Sequence, residues 1–200
     1  MNKYDYSYTE SDPYCYADSK VLVNKLNIRD TTVLYEAERE ITCFKLLELH
    51  EKPINGRFGF AHLCAIHEFI FCDVYNWAGI PRTGGFLSKS GTLFVQGIYI
   101  KDTANKLFTE LSSENKLRGL EKEVFIRRLA YYMGEVNALH PFREGNGRTA
   151  REFFRELALK AEHCIDYGLT EADTLLNADV EAYAKNYDPL INVLHSIVTI

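Results

Sequence analysis

The sequence predicts an all-α fold: one mainly helical domain over residues 1–200, with a small β-hairpin laid over it as a flap. Three observations carry that expectation. Apolar residues recur at helical spacing through most of the 200 residues. Only Thr83–Val95, "TGGFLSKSGTLFV", sets glycines around a polar turn between short apolar arms. No repeat, low-complexity tract or Pro/Gly/Ser-rich linker divides the chain.

The elements follow in order. A first helix is expected from about Thr32 to His50, with Leu34, Ala37, Ile41, Phe44 and Leu47 as its apolar stripe. A second covers about Phe60 to Tyr75. Helical spacing brings Cys64, His67 and Cys72 near one face there, a set that could tempt a zinc reading. The surrounding "GFAHLCAIHEFIFCDVY" is otherwise apolar, so buried packing is the expectation. The hairpin comes next, then a third helix over about Asp102–Ser113. The clearest helix is Glu121–Leu139, with Val124, Phe125, Leu129, Tyr132, Met133 and Val136 recurring at three and four. It must stop near His140, because Pro141 pushes the preceding residue out of helical geometry. The periodicity resumes at Ala150, Phe153, Phe154, Leu157, Ala158 and Ala161, so another helix begins within or just after "GNGR". Thr170 precedes a further helix, and Asp188 as N-cap with Pro189 at the first helical position opens a last one carrying Leu190 to Ile197.

Composition narrows the function classes. Apolar residues make up 46% of the chain, with 13 Tyr and 12 Phe, which excludes disorder. A net charge of −5 provides no global attraction for nucleic acid or an anionic membrane, so neither is expected as a partner. Any polyanion has to be caught locally, around Arg143, Arg148 and Arg151. Five cysteines, an odd number without a CxxC pair, predict reduced thiols. The first residues lack the apolar run of a signal peptide and no stretch is long enough to cross a bilayer, so a cytoplasmic protein is expected, or one delivered into a host cell if it is part of a longer effector.

The chemistry concentrates at the corner between the two clearest helices, "HPFREGNGRT" (His140–Thr149). The first N–H groups of a helix lack intrahelical partners and the dipole is positive there, so an anion is welcome. Gly145 and Gly147 let the backbone approach it, and Asn146 can donate its amide to a phosphate oxygen. Arg148 and Arg151, three apart, can each fork onto a separate phosphate. Glu144 supplies a hard oxygen for Mg²⁺, which takes few protein ligands when a polyphosphate supplies others. His140 is the side chain here that titrates near neutrality, and thus the natural general base for a hydroxyl attacking phosphorus. The glycine loop is no Walker motif, since GK[ST] is missing. The parts together predict phosphoryl or nucleotidyl transfer to a hydroxyl.

"HPFREGNGRTAR" also resembles the signature of the Fic family, HPFx(D/E)GNGRxxR, at every defining position. "LRGLEKEVFIRRLAYYMGEVNALHPF" resembles the family's preceding helix, "DVYNWAGIPRT" its approach to the flap, and "DPYCY" the opening of many Fic toxins. The resemblance implies transfer of AMP from ATP to a Ser, Thr or Tyr hydroxyl of a target protein. His140 is then the base, Glu144 the Mg²⁺ carboxylate, Gly145, Asn146 and Gly147 the anion nest, and Arg148 and Arg151 the holders of the β and γ phosphates, with Phe142 anchoring the loop in the core. Gly147 favours AMP transfer, since the related Doc kinases carry Lys at that place. Family flaps register a target segment by strand addition, which assigns Lys89, Ser90 and Phe94 to target docking.

Many Fic proteins carry an inhibitory [S/T]xxxE[G/N] helix whose Glu pairs with the second arginine. Thr32–Glu36 is the nearest match, but Ala37 stands where Gly or Asn is expected, and no Glu follows Ser196. Inhibition is therefore expected from a small separate antitoxin that supplies a glutamate to Arg151, with topoisomerase subunits the targets implied by the toxin class. The alternatives are a relative using another nucleotide donor, such as UTP or CDP-choline, and an inactive Fic-fold binding module.

Overall fold

The computed structural model describes residues 6–8, 12–89 and 92–199. Its centre is helix α4 (Lys122–Leu139), which packs against α3 (Ile100–Ser113), α5 (Asn146–Lys160), α6 (Ala172–Tyr183) and α7 (Asp188–Ile197). Such a position demands apolar residues on more than one stripe, and Phe125, Ile126, Leu129, Ala130, Tyr132, Met133, Val136 and Leu139 are all buried. Val124, expected in that stripe, is exposed instead. Gly134 lets the last helices close on α4, since a Cβ there would lie 2.8 Å from the Tyr187 ring. Helix α2 (Phe60–Phe71) lies against α5 and ends four residues before the expected Tyr75. Asp188 is the first residue of α7 rather than its cap.

Helix α1 (Thr31–Glu51) starts at Asp30, whose carboxylate accepts from the N–H groups of Thr32 and Val33 at 2.8 and 3.0 Å. Its expected stripe is a correction. Phe44 and Leu47 are 68% and 55% exposed, and the buried positions are Leu34, Glu38, Thr42 and Leu49. The helix turns a polar patch inward because Arg148 waits there, and burying a charge is tolerated only where it is paired.

The flap is also more than the expected lone hairpin. β2 (Leu87–Lys89) and β3 (Thr92–Leu93) are joined by β1 (Tyr6–Tyr8) in a three-stranded antiparallel sheet of order β1-β2-β3. An isolated hairpin is marginal in water, and this one is anchored by the fully buried Leu87 and flanked by the third strand. A second short pair went unforeseen: β4 (Cys164–Ile165) with β5 (Val198–Thr199), each too brief for a periodic signal. Among the described residues, no helix is long and apolar enough to cross a membrane.

Candidate active site

The corner begins where α4 ends. His140 takes the left-handed conformation (φ 43°), an uncommon state for a non-glycine residue. Arg82, 1% exposed, holds it: its Nε donates to the His140 carbonyl at 2.8 Å and its backbone N–H to the Pro141 carbonyl at 2.8 Å. The carbonyls of the helix end are thereby capped by a cation, favourable at the negative end of the dipole.

The His140 ring stacks on Phe94, centroids 3.7 Å apart. Its Nδ1 lies 3.3 Å from the Asn137 carbonyl, which can only accept, so Nδ1 carries the proton and Nε2 is the basic atom. Burial first, then the charge of Arg82, push its pKa well below the usual histidine value. The imidazole is neutral at neutral pH, the form a general base needs.

The loop is held by three devices. Asn146 closes it on itself: Oδ1 accepts from the Phe142 N–H at 2.9 Å and Nδ2 donates to the Phe142 carbonyl at 2.8 Å. The Asn146 amide is thus a clasp that spends one of its two Nδ2 hydrogens on the loop, which leaves the second for the phosphate oxygen expected from sequence. Phe142 is buried against His67, ring centroids 3.8 Å apart. His67 in turn accepts from the Gly79 N–H on Nδ1 at 2.8 Å, so Nε2 donates to the Glu144 carbonyl at 3.0 Å. Burial pushes its pKa down to about 3. Both nitrogens are spent on backbone, which removes His67 from any metal set with Cys64 and Cys72; burial pushes the Cys64 thiol up to about 12.

Gly145 turns the chain into α5 with φ 82°, and a Cβ there would lie 2.2 Å from the Phe71 ring. Among the described residues no side chain caps that helix, so its first N–H groups, including those of Asn146 and Gly147, form the anion-accepting end. At Gly147 an added Cβ would sit 3.3 Å from Arg151 Nη1.

The arginines diverge. Arg143, expected in the polyanion cluster, is buried and tied to Asp12, with Nε and Nη2 at 2.8 and 2.7 Å from Oδ2. Arg148 turns toward α1: it pairs with Glu38, donates to Thr42 Oγ1 at 2.9 Å, and lies 4.8 Å over the Phe71 ring. Tyr75 Oη donates to the same Glu38 carboxylate. Arg151 borders a cavity of about 30 Å³ with Asn137, Asn146, Gly147 and Asp179. Burial raises the Asp179 carboxyl to about 6, opposed by the Arg151 charge. The structure therefore splits the pair: Arg151 faces the cavity while Arg148 braces the loop against α1.

Glu144 accepts from the Gly145 N–H at 2.8 Å on Oε1, the oxygen 3.6 Å from Arg148 Nη2. Burial, and then the Glu38 charge, raise its pKa. The Glu38 oxygens are engaged by Arg148 and Tyr75, so Glu144 is the carboxylate of this pair that fits a divalent cation. Among the described residues no group of three His, Cys, Asp or Glu could hold an ion unaided, so Mg²⁺ would take its other ligands from phosphate and water.

Of the flap residues, Phe94 is buried under His140 rather than set on a docking edge, Lys89 is half-buried, and Ser90 lies outside the described residues. Burial lowers the Lys89 pKa, opposed by the Glu144 charge, so the ammonium belongs to the corner's field. Glu36, the nearest match to an inhibitory glutamate, is exposed on α1. Sequence reasoning missed Arg82, His67 as a brace, Glu38 and Asp179; all lie far from the corner in sequence, and only the unusual His and Arg within apolar or Pro-flanked context hinted at two of them.

The Fic/DOC family profile matches residues 57–158. The chain is 39% identical over 94% of its length to protein adenylyltransferase VbhT of Bartonella schoenbuchensis, and spans 38% of that relative. It is 37% identical to "probable protein adenylyltransferase y4lH" of Sinorhizobium fredii, covering 90% of this chain and 92% of that one. The fold superposes with TM-score 0.89 on the N-terminal Fic domain of a VirB-translocated Bep effector protein from Bartonella quintana with bound ADP, at 29% identity and covering 93% and 94% of the two chains. Together with the unbroken corner motif, these matches establish that the chain belongs to the Fic/DOC family.

Proposed function

We propose that this corner transfers AMP from ATP to a hydroxyl side chain of a target protein, releasing pyrophosphate. The single observation that carries the reading is His140: a neutral imidazole whose Nδ1–H faces the Asn137 carbonyl, so that Nε2 is the basic atom, at the corner that leads into α5. The hydroxyl oxygen attacks the α-phosphorus as Nε2 accepts its proton, and the bond from that phosphorus to the bridging oxygen of pyrophosphate breaks. The N–H groups at the start of α5 bind phosphate oxygens, and Arg151 neutralises the leaving phosphates from the cavity side. Arg148 holds Glu144 and α5 in register. Mg²⁺ on Glu144 would add charge neutralisation on the polyphosphate.

The names of the relatives and the ADP bound to the Bartonella quintana domain support ATP as donor. The family resemblance supports a toxin held in check in the cytoplasm by a small antitoxin, with topoisomerase subunits among its targets. A partner glutamate reaching Arg151 would compete with phosphate for the guanidinium, a charge that Asp179 already shares. The test is intact mass of the chain and of lysate proteins after incubation with Mg²⁺ and ATP, beside His140→Ala. A gain of one AMP moiety that falls about 10²–10⁴-fold in rate in the variant is expected. An adduct that forms equally fast without His140 would sink the mechanism.

A further inference from the structure

The two edges of the flap are treated differently by the fold. On the β3 side the Leu93 carbonyl accepts from Tyr183 Oη of α6, and the Val95 N–H donates to the Ala138 carbonyl of α4 at 3.4 Å. That edge is joined to the helical body. On the β2 side the chain's own β1 fills the edge, with Tyr6 opposite Lys89, Ser7 opposite Ser88 and Tyr8 opposite Leu87. An extended peptide that docked on β2 by strand addition would need the same row of N–H and C=O groups.

The occupant is short and is anchored through the residues that follow it. β1 is three residues long, so its ladder is short. Four residues on, Asp12 is fastened to the corner loop through Arg143, at 2.8 and 2.7 Å. A released β1 therefore stays tethered at high effective concentration beside the edge it left. Its register partner Lys89 is a residue whose charge acts on both Glu144 and His140.

We infer that β1 is a displaceable occupant of the flap's docking edge, an intramolecular competitor that an extended segment of a target protein must strip from β2 before its hydroxyl reaches His140. The consequence for catalysis rests on the AMP-transfer reading; the occupancy does not.

The test uses the full chain and a double variant, Tyr6→Pro with Ser7→Pro. Successive N–H groups of a strand point to opposite sides, so the pair removes at least one ladder donor whichever faces β2. The probe is a labelled synthetic peptide of residues 4–11, YDYSYTES, followed by fluorescence anisotropy. It should bind the double variant about tenfold tighter than the parent, the factor expected for one or two recovered ladder bonds. Equal binding to both chains, or binding to neither, overturns the inference. In the parent, excess unlabelled peptide should speed hydrogen exchange of the amides of Tyr6–Tyr8, and unchanged exchange at saturation overturns it without reference to how the variant folds. AMP transfer onto lysate proteins should rise in the double variant, and a fall would make β1 part of the docking platform instead. Discriminating peptide binding with no AMP transfer by either chain would leave the occupancy standing and remove the AMP-transfer reading.

Discussion

Gly145→Ala tests the corner at its tightest point. The residue has φ 82°, where an L side chain costs roughly 1–2 kcal/mol. The new Cβ would also lie 2.2 Å from the Phe71 ring, which is fully buried and sandwiched between His67 (ring centroids 4.7 Å) and the Arg148 guanidinium (4.8 Å). A ring so confined cannot swing aside, and overpacking of this kind costs about 1–3 kcal/mol. The variant should lose about 2–5 kcal/mol in urea unfolding, with a melting midpoint lower by roughly 2–4 °C per kcal/mol for a chain of this size. Because the strain falls on the loop between Glu144 and the start of α5, AMP transfer should fall as well. The decisive control is the same substitution in a Phe71→Leu background. There the ring contact is gone and the cost should shrink to the backbone share of about 1–2 kcal/mol. An equal cost in both backgrounds would refute the ring-contact reasoning.

Other outcomes follow from the same geometry. Glu38→Ala strips Arg148 and Tyr75 of a shared buried partner and should cost about 3 kcal/mol in denaturant unfolding, whereas exposed Glu36→Ala should stay within about 0.5 kcal/mol; similar costs for both would undo the assignment of Glu38. His67 has a folded pKa of about 3 against an unfolded value near 6.5, so the unfolded chain binds more protons in that window and stability from this group is lost as pH falls from about 6.5 toward 3. The stability difference between parent and His67→Gln should therefore narrow over that range in urea titrations at successive pH values, and a constant difference would mean His67 titrates normally. Arg143→Gln should loosen residues 12–16, seen as faster hydrogen exchange of the Tyr14 and Cys15 amides, because Asp12 loses its partner on the loop; unchanged exchange would show the pair to be incidental.

Legibility in the sequence followed the range of the interactions. Helices α3, α4 and α5 were readable because each buries a stripe that local periodicity displays, and the bend at His140 because Pro141 forces it. Helix α1 was placed correctly and turned wrongly: its apolar residues form a stripe, but Phe44 and Leu47 face solvent while Glu38 and Thr42 face inward. Nothing within α1 announces that Arg148, more than a hundred residues later, will need an anion and a hydroxyl there. The flap was visible through its glycines, whereas β1 was not, since a three-residue strand carries no periodic signal.

The corner shows the same division. Which residues meet there was determined by sequence alone, since ten consecutive positions cannot be far apart and the bend between two periodic helices is a local event. What each does was decided by tertiary structure. Asn146 became a clasp, Arg148 a brace and Phe94 the platform for His140, while Arg82 and His67 arrived from elsewhere in the chain to hold the backbone. The reason is that a side chain's hydrogen-bonding capacity is finite and a buried group must spend it on whatever the fold brings near.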